Sequence, residues 1–71
     1  MGSYEVRLRE AGSRRHMKLG RHALTDKRVH ALRFETVEDA REAASWMVTN
    51  NPGAFDSAQV CDSNGVVERV A

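Results

Sequence analysis

The chain has 71 residues, of which 41% are hydrophobic and 30% charged. That is a globular composition with no apolar run approaching the ~18 residues a membrane-spanning helix needs. A chain of this length buries about 60% of its surface on folding, enough for one thin core in a single domain over residues 1–71 and too little for a deep, walled substrate cavity. The net charge of +1 hides an asymmetry: residues 1–34 carry nine basic side chains against three acids (+6), and residues 35–71 two against seven (−5). Such a split points to an acidic or polyanionic partner for one end, unless the two halves neutralise each other in the fold.

Met1-Gly2-Ser3 has the composition of a disordered start and is set aside from the fold. Tyr4 to Arg9 alternates strictly. Tyr4, Val6 and Leu8 fall on one side and Glu5, Arg7 and Arg9 on the other, the period of a half-buried strand. Residues 10–28 read as a polar loop excursion that opens on the turn residues Ala11-Gly12-Ser13. Met17 and Leu19 allow a short strand within it. Arg28 to Glu35 reads as the next strand, with Leu32 and Phe34 toward the core and Arg33 outward.

Thr36-Val37-Glu38-Asp39 has the form of a capping box, with Thr36 as N-cap and Asp39 reaching back. The helix it opens should run to about Asn50, with Val37, Ala40, Ala44, Met47 and Val48 recurring at helical spacing as its buried stripe. Pro52 cannot continue the helical ladder. Phe55 to Cys61 and Val66 to Val70 are two further strands around the turn sequence Asp62-Ser63-Asn64-Gly65, where Asn-Gly favours the positive φ of tight hairpins.

The order β-(β)-β-α-β-β predicts an α+β fold: a small antiparallel sheet of three to four strands with one helix packed on one face. Val6, Leu8, Leu32, Phe34, Ala40, Ala44, Met47 and Val60 are the expected core. The other sheet face is left to solvent or to a partner.

The run Lys27-Arg28, Arg33-Phe34-Glu35-Thr36, Glu38-Asp39-Ala40 and Trp46 resembles the strand-to-helix junction of phage integrase arm-type DNA-binding domains. That resemblance implies DNA reading by a three-stranded sheet, here through Arg7, Arg9 and Arg33. The departure is the C-terminal hairpin, which such arm domains do not usually carry. The whole chain is similar to small phage and bacterial proteins with strands, then an F-x-T-x-E-D-A helix, then a V-x-D-x-x-G-x-V hairpin. In architecture alone it resembles small sheet-plus-one-helix anti-CRISPR inhibitors. Fold does not imply function.

Two surfaces are candidates for binding. Arg7, Arg9 and Arg33 sit on outward strand positions, and Arg14, Arg15, Lys18 and Arg21 extend them through the loop. Mobile cations of this kind suit phosphates; a solvated sheet face is the plainer account of them. Trp46 falls outside the apolar helical stripe, either as an interface anchor or covered by the 10–28 excursion. His16, His22 and His30 match no zinc spacing, and no metal or cofactor is expected. A lone Cys61 makes no internal disulfide and fits a reducing compartment; with no leader segment, a cytoplasmic location is expected. Glu38, Asp39 and Glu42 are explained by capping and solvation, so no enzyme activity is expected. The expected function is a non-catalytic binding module of a phage or other mobile element. It would dock on or occlude a larger protein or nucleoprotein complex, with direct DNA or RNA binding as the alternative. Reversing Arg7 and Arg9 to Glu is expected to spare the fold.

Overall fold

In the computed structural model, which describes residues 2–71, the N-terminal alternation becomes strand β1, Glu5–Glu10. Met1 lies outside the described residues, and Gly2 and Ser3 carry no regular structure. Val6 and Leu8 are fully buried on one side of β1, while Arg7 and Arg9 stay partly exposed on the other. A turn closed by the Ser13 N–H on the Glu10 carbonyl leads into β2, His16–Leu19. A second reversal leads into the two-residue β3, Leu24–Thr25. The excursion therefore holds two strands. Leu19 and Leu24 pair directly and pack against the core, which gives this polar segment its anchor.

The strand expected over Arg28 to Glu35 does not form. Arg28–His30 is a single 3-10 turn. Residues 31–34 then run as an extended strap between the end of β2 and the start of β1. The Leu32 N–H bonds to the Leu19 carbonyl at 2.9 Å, and Tyr4 and Phe34 exchange both backbone hydrogen bonds, at 3.1 and 2.8 Å. Ala31 bridges to Gly20. Because the strap bonds to β2 at one end and β1 at the other, it builds no continuous ladder with either. Gly20 is needed at the β2–β3 reversal, where its N–H bonds to the Ala23 carbonyl at 3.0 Å and a Cβ would meet that oxygen at 2.5 Å. The side-chain alternation nevertheless survives. Phe34 packs on the core and Arg33 stands on the opposite side, but Leu32, expected in the core, is only half-buried and outside the cluster.

Helix α1 spans Val37–Asn50. Thr36 is its N-cap, in extended conformation, and its Oγ1 accepts from the Asp39 N–H at 3.1 Å. The reverse half of the capping box is not made; Asp39 is one methylene shorter than the Glu or Gln that closes it. At the other end the Asn50 and Asn51 amides donate to the Trp46 and Met47 carbonyls at 2.9 and 2.8 Å, the second of them among the last four carbonyls that the helix leaves free. Ala40 and Ala44 are the helix residues fully buried against the sheet, flanked by Val37, Ala43, Met47 and Val48.

Strand β4, Phe55–Asp62, returns beside β1, with Val60 opposite Val6 and Ala58 opposite Leu8. A two-residue turn joins it to β5, Gly65–Arg69. The Asp62 carboxylate accepts from the Asn64 N–H at 2.8 Å. Positive φ falls on Gly65 (124°) alone, not on Asn64. The result is an α+β fold with one five-stranded antiparallel sheet, order β3-β2-β1-β4-β5, one strand beyond the upper expectation. The core of Val6, Leu8, Ala40, Ala44, Ala58 and Val60 lies between α1 and the central strands.

Two substitutions check this packing by thermal or denaturant unfolding. Ala44→Leu should destabilise by about 1–3 kcal/mol, because no space exists for the larger side chain. Thr36→Ala should cost about 1 kcal/mol through the lost cap. A wild-type midpoint for Ala44→Leu would mean that the helix does not bury this face.

Candidate functional site

Pairing register builds the face turned away from α1. Directly opposed residues in an antiparallel sheet share a face. Arg7 of β1 opposes Lys18 of β2 and Gln59 of β4; Lys18 opposes Thr25, and Gln59 opposes Arg69. One row therefore runs Thr25–Lys18–Arg7–Gln59–Arg69 across all five strands. A second row places Arg9 between His16 and Ser57, and a third sets Glu5 opposite Cys61.

Glu5 lies within this cationic face, yet its side chain is only 4% exposed. A buried carboxylate is costly unless it is paired. Arg7 donates from Nε to Glu5 Oε1 at 3.2 Å, and Arg33 brings Nη1 to 3.6 Å from Oε2. The second distance is an ion pair and too long for a hydrogen bond, so Oε2 remains without a donor. Arg7 and Arg33 are each about one-third exposed, at 35% and 36%, and the strap is what delivers Arg33 to this place. Arg9 Nε is buried with no acceptor.

The other residues singled out in the sequence fall elsewhere. Arg14 and Arg15 are exposed at the β1–β2 turn, and Arg15 approaches Asp26 at 3.4 Å, which offsets its charge. Trp46 is 62% exposed on the outer flank of α1, beside Glu42, Thr49 and Asn50. The excursion does not cover it, and α1 lies on the opposite side of the sheet from the cationic rows. The structure thus groups Arg7, Arg9, Arg33 and Lys18, adds Arg69, and leaves Trp46 apart. Arg69 was missed because its inclusion depends on pairing with Gln59. Glu5 was missed because alternation distinguishes a face but not how deeply a residue on it is buried.

Among the described residues, all four ion pairs join groups within the same half of the chain: Glu5 with Arg7 and Arg33, Arg15 with Asp26, and Arg41 with Glu68. Ion pairing between the halves is therefore not what balances the charge. Arg41 donates from Nε and Nη2 to both Glu68 oxygens, which ties β5 to α1 and holds the Glu68 carboxyl below its ordinary value. Glu38, Asp39 and Glu42 remain as acids on the exposed helix side.

No group of three or more potential metal ligands occurs among the described residues. No helix of the described residues is long and apolar enough to cross a membrane. No family model matches the chain, and neither a curated protein nor a solved structure matches it.

Cys61 is fully buried, and burial pushes its thiol above the ordinary value, with the Arg7 charge pulling the other way. The thiolate is the reactive form. The folded chain should therefore resist alkylation by iodoacetamide at pH 8 and react at once in denaturant; rapid native labelling would show that this face is open down to Cys61.

Proposed function

We propose that the chain is a non-catalytic binding module that docks through its basic sheet face on a larger protein or nucleoprotein complex. The observation that carries this reading is the row Lys18–Arg7–Gln59–Arg69, with Arg9 and Arg33 beside it, on the face α1 leaves uncovered. The acid within these rows, Glu5, is buried between arginines and offers nothing to a partner. Guanidinium groups on a rigid sheet meet carboxylates and phosphates in fixed geometry, which flexible lysines do less well. An occluding inhibitor of the anti-CRISPR kind, encoded by a phage or other mobile element and acting in the cytoplasm, is one instance of such a module.

Direct DNA or RNA binding is the second reading. Lys18 and Arg7 lie on adjacent strands and Arg69 two strands beyond Arg7, with about 4.8 Å between strands, so a polyanion crossing the strands meets several cations. The resemblance to integrase arm domains points the same way. Salt separates the two readings. A phosphate binder should lose affinity steeply between about 50 and 200 mM salt, and a protein docked through mixed contacts should lose far less.

The residues to reverse are Lys18 and Arg69, not Arg7 and Arg9. Arg7 neutralises the buried Glu5, so a glutamate there would put two carboxylates together and threaten the fold, contrary to the expectation from sequence. Lys18 and Arg69 occupy the same row without ion-pair partners among the described residues. The double variant Lys18→Glu/Arg69→Glu should keep the wild-type melting midpoint within a few degrees and lose partner binding. Trp46→Ala should bind as the wild type does. The opposite pattern, with binding lost in Trp46→Ala and kept in the double variant, would move the interface to the helix.

A further inference from the structure

Glu5 occupies the place where a carboxylate is hardest to keep: mid-sheet, almost wholly buried, with one oxygen lacking any hydrogen-bond donor. Stability alone would favour an apolar residue there. We propose that Glu5 is a positioning residue. It holds Arg7 and Arg33 as a paired clamp for one phosphate of a nucleic-acid backbone. The proposal rests on the second reading above, direct nucleic-acid binding by the sheet face, and names the group that is gripped.

The carboxylate engages few of the donors around it. Arg7 commits only its Nε–H to Glu5, leaving its terminal Nη edge without a protein acceptor. Arg33 faces the other carboxylate oxygen through Nη1 at 3.6 Å and makes no hydrogen bond. Glu5 therefore fixes Arg7 through one donor and holds Arg33 nearby by charge, which leaves the remaining donors of both free. Two guanidinium charges against one carboxylate leave a single positive charge, which matches the single negative charge of a phosphodiester. Its two non-bridging oxygens diverge, so two guanidinium groups can each take one.

The surroundings favour a nucleic-acid backbone over an acidic protein. Lys18 and Arg69 continue the row on both sides of Arg7, and the row Thr25–Lys18–Arg7–Gln59–Arg69 contains no acid. Protein surfaces interleave charges of both signs, whereas a phosphate backbone presents one sign at regular spacing. Tyr4, Phe34 and Phe55 pack toward the core, and Trp46 lies on the helix flank, so this face carries no aromatic platform for bases. Contact is then with the backbone and independent of base sequence.

Charge alone and positioning predict opposite signs for one substitution. Glu5→Gln keeps the side-chain shape and raises the net charge by one, so simple electrostatics predicts tighter binding. The clamp predicts weaker binding to a fluorescein-labelled 12-base-pair DNA duplex. Loss should be about tenfold, the lower end of what orienting carboxylates are worth at metal sites. The slope of log K against log salt should fall by about 0.9 for each phosphate the variant no longer neutralises. Arg33→Lys, with charge conserved and the fork removed, should weaken binding similarly and decides the matter if Glu5→Gln fails to fold. In the ligand-free chain, side-chain nitrogen NMR should show an ordered Arg7 Nε–H in the wild type and an averaged one in Glu5→Gln. Wild-type or tighter duplex binding by folded Glu5→Gln overturns the clamp and leaves the basic-face reading standing. Polyglutamate competing as well as unlabelled duplex of equal charge overturns the choice of phosphate. No duplex binding by the wild type at 50 mM salt removes the phosphate reading and the clamp together.

Discussion

One helix about 10 Å across cannot cover five strands spaced about 4.8 Å apart, and it covers only one side of them. Most of what is distinctive in this molecule follows from that. The helix sits over β1 and β4, where Ala40 and Ala44 replace bulk with close approach to Val6, Leu8, Ala58 and Val60. The outer strands are closed by half-buried side chains at their margins, Leu19 and Leu24 on one wing and Val70 on the other. The uncovered face cannot be apolar without becoming a sticky patch. Long basic side chains meet both needs, since their stems shield the sheet and their charges remain hydrated.

That solution brings an electrostatic problem with it. Several cations on one small face repel each other, and the sheet centre is poorly solvated. Glu5 relieves the repulsion between Arg7 and Arg33 from below, at the expense of its own hydration. The strap of residues 31–34 is what makes this arrangement possible. It bonds by its backbone to Leu19 at the end of β2 and to Tyr4 just before β1, and carries Arg33 to the carboxylate. A fold element that looks like an interruption of the sheet is thus also part of its charged surface.

Much of the fold was legible because it depends on local rules. The Tyr4–Arg9 alternation, the Thr36 cap, the alanine stripe of α1 and the Asp62–Gly65 turn each rest on neighbours within a few residues, and each is present, although Asp39 does not close the capping box and the positive φ of the turn falls on Gly65 alone. The fold class followed from their order. The 28–35 segment misled because period-two alternation records which way side chains point, not whether the backbone finds a continuous partner. Its hydrogen bonds go to Leu19 and Tyr4, distant in sequence and on different strands. The same distinction governs the candidate site. Alternation placed Arg7, Arg9 and Arg33 on one face, but the inclusion of Arg69 and the burial of Glu5 depend on register between strands far apart in the chain. Whether Trp46 would be covered was likewise a question about where the 10–28 excursion goes; it folds back into the sheet edge and leaves Trp46 bare.

The pairing of β1 with β4 joins the two ends of the chain at the centre of the sheet, with Leu8 against Ala58 and Val6 against Val60. Hairpins β1–β2 and β4–β5 and helix α1 are local and quick to form, but none of them buries those residues. Closing the central pair requires nearly the whole intervening chain to loop back, an entropic cost met before its contacts reward it. Folding should therefore be a single late event rather than a progression from one end. During synthesis the chain gains its core only when β4 has left the ribosome. Until then Val6 and Leu8 stay exposed on an unfinished strand edge, the state in which a nascent protein of this design is most open to aggregation and to chaperone capture.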